Sequence, residues 1–338
     1  MVRVGVIGYG YWGPNLVRNF ETCADTEIIC VSDQRQDRLD LVSRQYRGIQ
    51  VTTDASELIS NPDIDAVAIA TPVNTHYPLA LEAIQAGKHV FIEKPMTETA
   101  EQAQHLLDEA EKRGLTIMVD HTFIYTDSVK KIREMIDNGD LGDIFYYDSM
   151  RVNLGLFQRD VSVVWDLAVH DFSILQYILD ERPTKVAATG ISHVPDNPEN
   201  TAFITLFYPS GCIAHVNVNW LAPVKVRQTL IGGSKKMVVY DDIEPSEKIK
   251  VYDKGVDLVT DEDQIYQLLV NYRAGDMYAP SLKNTEALGV EIAHFADCIT
   301  NGKEPITGGQ MGLEVVRLLE AATESMRVQG APIAITSE

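Results

Sequence analysis

Short apolar runs alternate with amphipathic segments over roughly the first third of the chain. The apolar runs at 2–7, 26–31, 66–70, 89–92 and 116–119 predict strands, and the segments at 12–20, 37–45, 76–86 and 98–113 predict helices. Strands that alternate with helices in this way are typical of a parallel sheet covered by helices. We therefore predict one α/β domain over residues 1–121.

The pattern changes from about residue 122. It predicts helices at 128–138, 165–179, 285–300 and 310–328, and strands at 144–153, 185–192, 202–208, 212–220, 225–231 and 236–240. Strands that follow one another through short turns pair antiparallel. Residues 122–338 are therefore predicted to form a second domain for substrate binding and oligomerisation, whose C-terminal helices are able to pack back on the first.

The segment 212–220 has two distinct faces. One face carries Ala214, Val216, Val218 and Trp220, and the other carries His215, Asn217 and Asn219. An open antiparallel sheet needs cover on its second face, because a large exposed apolar face is rare in a monomer. We therefore expect a homodimer or homotetramer that associates through the open sheet.

Composition narrows the class of partner. The 338 residues carry a formal charge of -20, which opposes binding to nucleic acid or to an anionic membrane. The four cysteines lack metal-type spacing, so we expect buried, reduced thiols and no metal. No cationic, apolar leader precedes the first strand and no apolar run reaches about 18 residues, which predicts a cytoplasmic protein.

A dinucleotide-binding motif follows the first strand. Gly8-Tyr9-Gly10-Tyr11-Trp12-Gly13 provides a tight turn, room for a pyrophosphate and a helix N-terminus, and Asp33 at the end of the second strand suits the adenosine ribose hydroxyls. The carboxylate favours NAD, whereas Arg35 and Arg38 leave NADP open. The predicted cofactor contacts in this region are Gly8, Gly10, Tyr11, Trp12, Gly13, Asp33 and Arg38.

Two further polar segments follow strands at the edge where a doubly wound sheet binds its ligand. Thr71-Pro72-Val73-Asn74-Thr75-His76 follows one strand, and Glu93-Lys94-Pro95 follows the next. A lysine between an acid and a proline lies in a constrained turn, so we expect its ammonium to be directed. Further cofactor contacts are predicted from Thr71, Pro72, Asn74, His76, Glu93, Lys94 and, from the second domain, Trp165.

An aspartate and a histidine are four residues apart on the predicted helix 165–179. Asp166 and His170 are then neighbours on one face, and a carboxylate beside an imidazole suits a group that takes a proton from a hydroxyl and returns it. A metal pair also fits this spacing, but no third ligand of matching pattern is evident. The predicted substrate-binding residues are Lys94, His121, Arg151, Asn153, Asp166 and His170.

Taken together, these motifs resemble the Gfo/Idh/MocA family of oxidoreductases. The resemblance spans nearly the whole chain, from the glycine motif through Glu93-Lys94-Pro95 and the Asp166–His170 pair to the closing segment. It implies an α/β protein with an N-terminal Rossmann domain and a C-terminal α/β domain with an open, mostly antiparallel sheet. It also implies NAD or NADP as cofactor and catalytic roles for Lys94, Asp166 and His170.

Within that family, four segments look most like the members that act at C3 of nucleotide-linked sugars, such as UDP-N-acetylglucosamine 3-dehydrogenases. The segments lie at 10–15, 151–155, 165–171 and 272–276. The resemblance therefore implies an NAD(P)-dependent dehydrogenase or reductase of CH–OH groups in a sugar. Two alternatives stay open: a dehydrogenase of a free polyol or sugar such as inositol, and a nucleotide-responsive regulatory protein without turnover.

Overall fold

The computed structural model describes residues 1–155, 161–253, 255–257, 271–273 and 275–335. The chain forms two compact units, the first from Met1–Thr126 with Thr285–Glu320 and the second from Asp127–Asn284 with Ala321–Glu338. Of the segment 272–276 singled out from the sequence, Ala274 lies outside the described residues.

A six-stranded parallel sheet forms the centre of the first unit. Its strands are β1 (Val2–Ile7), β2 (Thr26–Ser32), β3 (Gln50–Thr52), β4 (Ala66–Ile69), β5 (His89–Glu93) and β6 (Ile117–Asp120). They are arranged in the order β3-β2-β1-β4-β5-β6. The helices that connect them are α1 (Gly13–Thr22), α2 (Gln36–Gln45), α3 (Ala55–Ser60), α4 (His76–Gln85) and α5 (Ala100–Glu111). The order places the carboxyl ends of β1, β4, β5 and β6 side by side.

The apolar runs form strands because both faces of this sheet are covered. Every residue of β4 is buried, and Phe20 of α1 packs edge to face against Phe91 of β5 with ring centroids 5.9 Å apart. The sequence predicted five of the six strands and missed the three-residue β3, together with the six-residue α3. Elements this short carry too few residues to show a period.

A nine-stranded sheet forms the centre of the second unit. After α6 (Asp127–Asp137) and before α7 (Val169–Ile178) lies β7 (Ile144–Leu154). The later strands are β8 (Lys185–Ile191), β9 (Thr201–Phe207), β10 (Ile213–Asn219), β11 (Leu221–Gly233), β12 (Met237–Asp241), β13 (Ile249–Tyr252), β14 (Gly255–Asp257), β15 (Asn271–Arg273), β16 (Met277–Tyr278) and β17 (Ile333–Ala334). The sheet order is β16-β13-β12-β11-β7-β10-β9-β8-β17, and β14 pairs with β15 separately.

All neighbours in the nine-stranded sheet pair antiparallel except β7 and β10, which are parallel. The predicted alternation along β10 is confirmed, since Ala214, Val216 and Val218 are fully buried and the residues between them are half-buried. On the outer face Met150, Phe203 and Ile213 remain exposed. The open face is therefore partly apolar.

The helix predicted over 165–179 begins differently from the expectation. Residues Val164–Ala168 form a π-helical turn, and the α-helix α7 starts only at Val169. Asp166 therefore lies in the wider turn and His170 in the first turn of α7. Single π-turns of this kind are frequent at functional sites.

Two C-terminal helices follow, α8 (Ala287–Asn301) and α9 (Gly309–Arg327). α8 and the first part of α9 belong to the first unit, although they follow the second unit in the chain. The reason is a shared core: Phe295 of α8 lies 5.4 Å from Phe91 between ring centroids, and Arg18 forms an ion pair with Glu286. Among the described residues, no helix combines the length and apolarity that crossing a membrane requires.

Candidate active site

The glycine motif of the first unit leaves space for a ligand. Gly8 has a φ of 97°, and a Cβ there would lie 2.5 Å from the carbonyl oxygen of Ala70. A Cβ on Gly13 would overlap the carbonyl oxygen of Gly8, whereas a Cβ on Gly10 would meet only the Arg35 guanidinium at 3.8 Å. Gly8 and Gly13 thus allow the close turn, and the backbone at Gly10 is accessible to a pyrophosphate.

Asp33 is held by the same loop. Its Oδ2 accepts a hydrogen bond from the Tyr9 backbone N–H at 2.8 Å, and its Oδ1 accepts one from the Arg35 backbone N–H at 2.9 Å. Burial opposes ionisation, but the hydrogen bonds from Arg35 and Tyr9 outweigh it and lower the pKa of Asp33. The group is therefore an ionised acceptor, which suits ribose hydroxyls.

A groove of about 470 Å³ lies next to the glycine loop. It is lined by Tyr9, Pro14, Arg38, Leu41, Arg44 and Gln45. The predicted contact Arg38 thus lines a cavity next to the glycine loop, and its Nε lies 3.8 Å from Asp37 Oδ2. A lining that combines apolar side chains with two guanidinium groups fits the adenosine end of a dinucleotide.

His76 has a different place from the predicted cofactor contact. The ring is 1 % exposed; its Nδ1 lies 2.9 Å from the Pro95 carbonyl oxygen and its Nε2 lies 2.8 Å from the Thr71 carbonyl oxygen. Burial lowers the pKa of His76, so the ring is neutral and donates to one carbonyl at a time. The ring thus lies between the loops after β4 and β5 and donates to one of them at a time, because α4 starts at this residue and directs its first side chain inward.

Lys94 lies in one of the two loops that His76 joins. Its backbone N–H donates to Glu93 Oε2 at 3.0 Å, its peptide bond to Pro95 is cis, and the next two residues, Pro95 and Met96, are buried. Burial and the neighbouring Asp120 raise the pKa of Glu93 well above its usual range. The backbone on both sides of Lys94 is therefore fixed while its side chain is half-buried.

The other predicted residues of the first unit divide by exposure. Tyr11, Pro72 and Asn74 are exposed, and Thr71 and Trp12 are half-buried. His121 is only 1 % exposed, and burial lowers its pKa to about 4. Its ring is therefore neutral above about pH 5, available as a donor and an acceptor and not as a cation.

In the second unit, His170 is held through the residue that follows it. Asp171 is fully buried, and its Oδ2 accepts a hydrogen bond from Arg151 Nε at 2.8 Å. Its Oδ1 accepts hydrogen bonds from Tyr147 Oη at 2.9 Å and Ser149 Oγ at 2.6 Å. One carboxylate thus fastens the first turn of α7 to β7, and His170 is half-buried beside it.

Asp166 is positioned by a tryptophan from the sheet. The indole Nε1 of Trp220 donates to Asp166 Oδ2 at 3.2 Å, and Trp220 itself is 1 % exposed. A Cβ on Gly155 would overlap the Trp220 ring, so this position requires glycine. Trp165, a predicted cofactor contact, is half-buried and donates from its Nε1 to Thr323 Oγ1 at 3.0 Å.

Arg151 lies on the buried face of β7. This side chain is 4 % exposed and is paired with Asp171, because the alternation of β7 turns it to the same buried face as Tyr147 and Ser149. The negative charge of Asp171 raises the pKa of Arg151 although burial opposes it. Its guanidinium is thus used by the ion pair with Asp171, and its contact with substrate stays a prediction. Asn153 on the same strand is half-buried.

Sequence reasoning did not find Asp120, Trp220 or Glu291. The structure places Asp120 against Trp12, with 2.8 Å between its Oδ2 and the indole nitrogen, and Trp220 against Asp166. No local spacing joins residues so far apart, although the place of Asp120 at the end of β6 was a usable signal. Within the described ranges, no group of three or more His, Cys, Asp or Glu side chains is arranged to hold a metal ion.

Comparisons with known proteins agree with this arrangement. Residues 2–121 match the oxidoreductase family with an NAD-binding Rossmann fold, and residues 133–335 match the C-terminal α/β domain of that family. The chain is 26 % identical to myo-inositol 2-dehydrogenase of Thermotoga maritima, covering 96 % of each chain. It is 25 % identical to UDP-N-acetylglucosamine 3-dehydrogenase of Acidithiobacillus ferrooxidans, covering 93 % of this chain and 94 % of that protein.

A solved structure shares the fold. The oxidoreductase from Agrobacterium radiobacter, solved in complex with NAD⁺, L-tartaric acid and magnesium, aligns with a TM-score of 0.84 and 19 % identity over 99 % of this chain and 98 % of that one. The glycine cradle and the ionised Asp33 fit NAD as the cofactor. The protein is thus an NAD-binding oxidoreductase of the Gfo/Idh/MocA family.

Proposed function

We propose that this protein transfers a hydride reversibly between NAD and a secondary alcohol of a sugar, at C3 of a nucleotide-linked sugar. The observation that carries the proposal is the separate anchoring of two proton-handling side chains, Lys94 between fixed backbone segments and His170 beside a buried ion pair. The similarity to a UDP-N-acetylglucosamine 3-dehydrogenase over nearly the whole chain supports the substrate class.

The proposed roles follow from the chemistry of the side chains. His170 accepts the hydroxyl proton while the hydride leaves the same carbinol carbon, and a ketone results; the reverse reaction returns both. The bound nicotinamide supplies the acceptor for the hydride. Lys94 donates a hydrogen bond to the carbinol oxygen and stabilises its developing negative charge, and Asp166 orients His170.

Mutation of His170 tests these roles. His170→Ala is expected to lower kcat by about 10² to 10⁴-fold, the usual contribution of a general base. The assay follows the absorbance of NADH with UDP-N-acetylglucosamine as substrate. Tyr177→Phe, on the same helix and two turns further on, serves as the control and should keep its kcat. Unchanged turnover in His170→Ala would remove this residue from the mechanism.

A free polyol is the second candidate substrate. The similarity to a myo-inositol 2-dehydrogenase covers the chain about as fully as the similarity to the UDP-sugar enzyme. The same NADH assay with myo-inositol separates the two. Activity on myo-inositol with none on UDP-sugars would support the polyol and contradict the nucleotide-linked substrate. Proteins with the nucleotide-sugar activity must bind a diphosphate, so added UDP should inhibit only in that case.

We further propose that a second copy of the chain covers the open face of the nine-stranded sheet. This face carries exposed Met150, Phe203 and Ile213, and an exposed apolar face of this kind favours association through a closed two-fold interface. Phe203→Asp with Ile213→Asp should shift the mass measured by light scattering towards that of a monomer. Val328→Asp, an exposed apolar position away from the strands of this face, is the matched control.

A further inference from the structure

One hydrogen bond in the first unit joins the carboxyl-end regions of two strands that are not neighbours in the parallel sheet. Trp12 belongs to the glycine motif after β1, and its Nε1 donates to Oδ2 of Asp120, the last residue of β6, at 2.8 Å. In the sheet order, β4 and β5 lie between these two strands. The bond therefore links the phosphate-binding loop to β6, the edge strand. Asp33 follows β2, which lies on the other side of β1.

The acceptor in this bond is itself held firmly. Asp120 is 2 % exposed, and its Oδ1 accepts a hydrogen bond from the hydroxyl of Thr122 two residues later. Each carboxylate oxygen thus has its own donor, and the carboxylate cannot rotate without losing one of them. Trp12 is half-buried, so part of its side chain remains accessible.

We propose that Asp120 is a positioning residue that holds the Trp12 indole against the nicotinamide half of the cofactor. A dinucleotide that places its adenosine at β2 and its pyrophosphate on the glycine loop extends its other half along the ends of β4, β5 and β6. The indole is tethered in that direction. The inference rests on the proposed function only in so far as a positioned nicotinamide is needed for hydride transfer. The test measures cofactor binding alone.

The test compares two ligands that differ by one ring. ADP-ribose contains the adenosine, the pyrophosphate and the second ribose, and NADH adds the nicotinamide. Trp12→Phe and Asp120→Leu should each weaken NADH binding about tenfold and ADP-ribose binding less than about twofold, as measured by titration calorimetry. The double variant should bind NADH with the affinity of Asp120→Leu alone, because each single change removes the same Trp12–Asp120 hydrogen bond.

A conservative variant separates positioning from general stability. In Asp120→Asn the amide oxygen can still accept from Trp12 and the amide nitrogen can donate to Thr122, so NADH affinity should stay within about twofold of wild type. Thr26→Val removes a different buried hydrogen bond of the same unit, to the Phe20 carbonyl, and should change neither affinity. Should Asp120→Leu fail to fold, Thr122→Val loosens the same carboxylate more gently.

Equal weakening of NADH and ADP-ribose, or unchanged NADH affinity in Trp12→Phe, would overturn the proposal. These outcomes do not depend on any sugar. The hydride transfer proposed above can therefore fail while this inference holds, if no sugar is oxidised yet the two ligands respond differently.

Discussion

Lys94 and His170 are held by opposite means. Lys94 lies in a loop whose path depends on backbone contacts, with His76 bridging two carbonyl groups and buried residues following it. His170 lies on a helix whose first turn is fastened by one buried carboxylate with three side-chain donors. A loop held by many neutral contacts tolerates the loss of one, whereas a helix held by a buried charge depends on its counter-charge.

The largest expected effect is on the helix-held side. Arg151→Met leaves Asp171 buried without its ion-pair partner and should lower the free energy of unfolding by about 3–5 kcal/mol. Urea unfolding followed by circular dichroism measures this. Adding Asp171→Asn removes the stranded charge and should recover more than half of the loss. If Arg151→Met unfolded at the same urea concentration as the wild-type protein, stability would not depend on this charge pair.

The loop-held side should respond more weakly. His76→Leu removes the ring that joins the carbonyls of Thr71 and Pro95, which should cost about 1–3 kcal/mol and lower kcat as the Lys94 loop loosens. His89→Leu, at the other end of β5, removes a ring that accepts from the Thr116 backbone N–H and is the matched control. It should reduce stability without a specific fall in kcat. Equal kcat values in the two variants would argue against a role for His76 in placing Lys94.

Mutation of Asp33 tests whether adenosine binding by the first unit is independent of the contacts that hold Lys94 and His170. Asp33→Ala should weaken NADH binding about tenfold and NADPH binding less, because an ionised acceptor for the ribose hydroxyls is lost. Fluorescence titration of both cofactors measures this, with Asp25→Ala, an exposed position at the opposite end of β2, as control. Tighter binding of NADPH than NADH by the wild-type protein would contradict the predicted preference.

The smallest effect concerns Glu291 of α8 and depends on pH. Burial and the charges of Asp120 and Glu93 raise the pKa of Glu291 well above its usual range. The folded state therefore keeps a proton that the unfolded state loses above about pH 4.5, so stability falls as pH rises towards the folded pKa.

Glu291→Gln removes this dependence and should stabilise the protein by on the order of 1 kcal/mol at pH 8, with less gain at pH 5. Thermal unfolding at both pH values measures it, and the exposed Glu304→Gln is the control. A gain that does not change with pH would show that the proton on Glu291 does not limit stability.

The Lys94 loop and the His170 helix also differ in how far the sequence predicted their surroundings. The glycine motif, Asp33, the Lys94 turn and most strands follow from short-range patterns, and the structure has these elements in place. Arg151 was assigned to a ligand from the strand face that it shares with Asn153, and His76 from its place in a polar segment after a strand. Both side chains contact groups of the protein, because each points to a buried side of its element. Alternation along β7 already pointed this way for Arg151.

Sequence by itself determined the class of fold, the dinucleotide-binding edge and the family, because periodicity and glycine spacing act over a few neighbouring residues. The tertiary structure decided which polar groups are used internally: Trp12 with Asp120, Trp220 with Asp166, and Arg151 with Asp171. Each of these pairs joins residues from different elements, and only chain packing brings them within hydrogen-bonding distance. A buried polar group must find a partner wherever the fold provides one, and no local pattern encodes which partner that is.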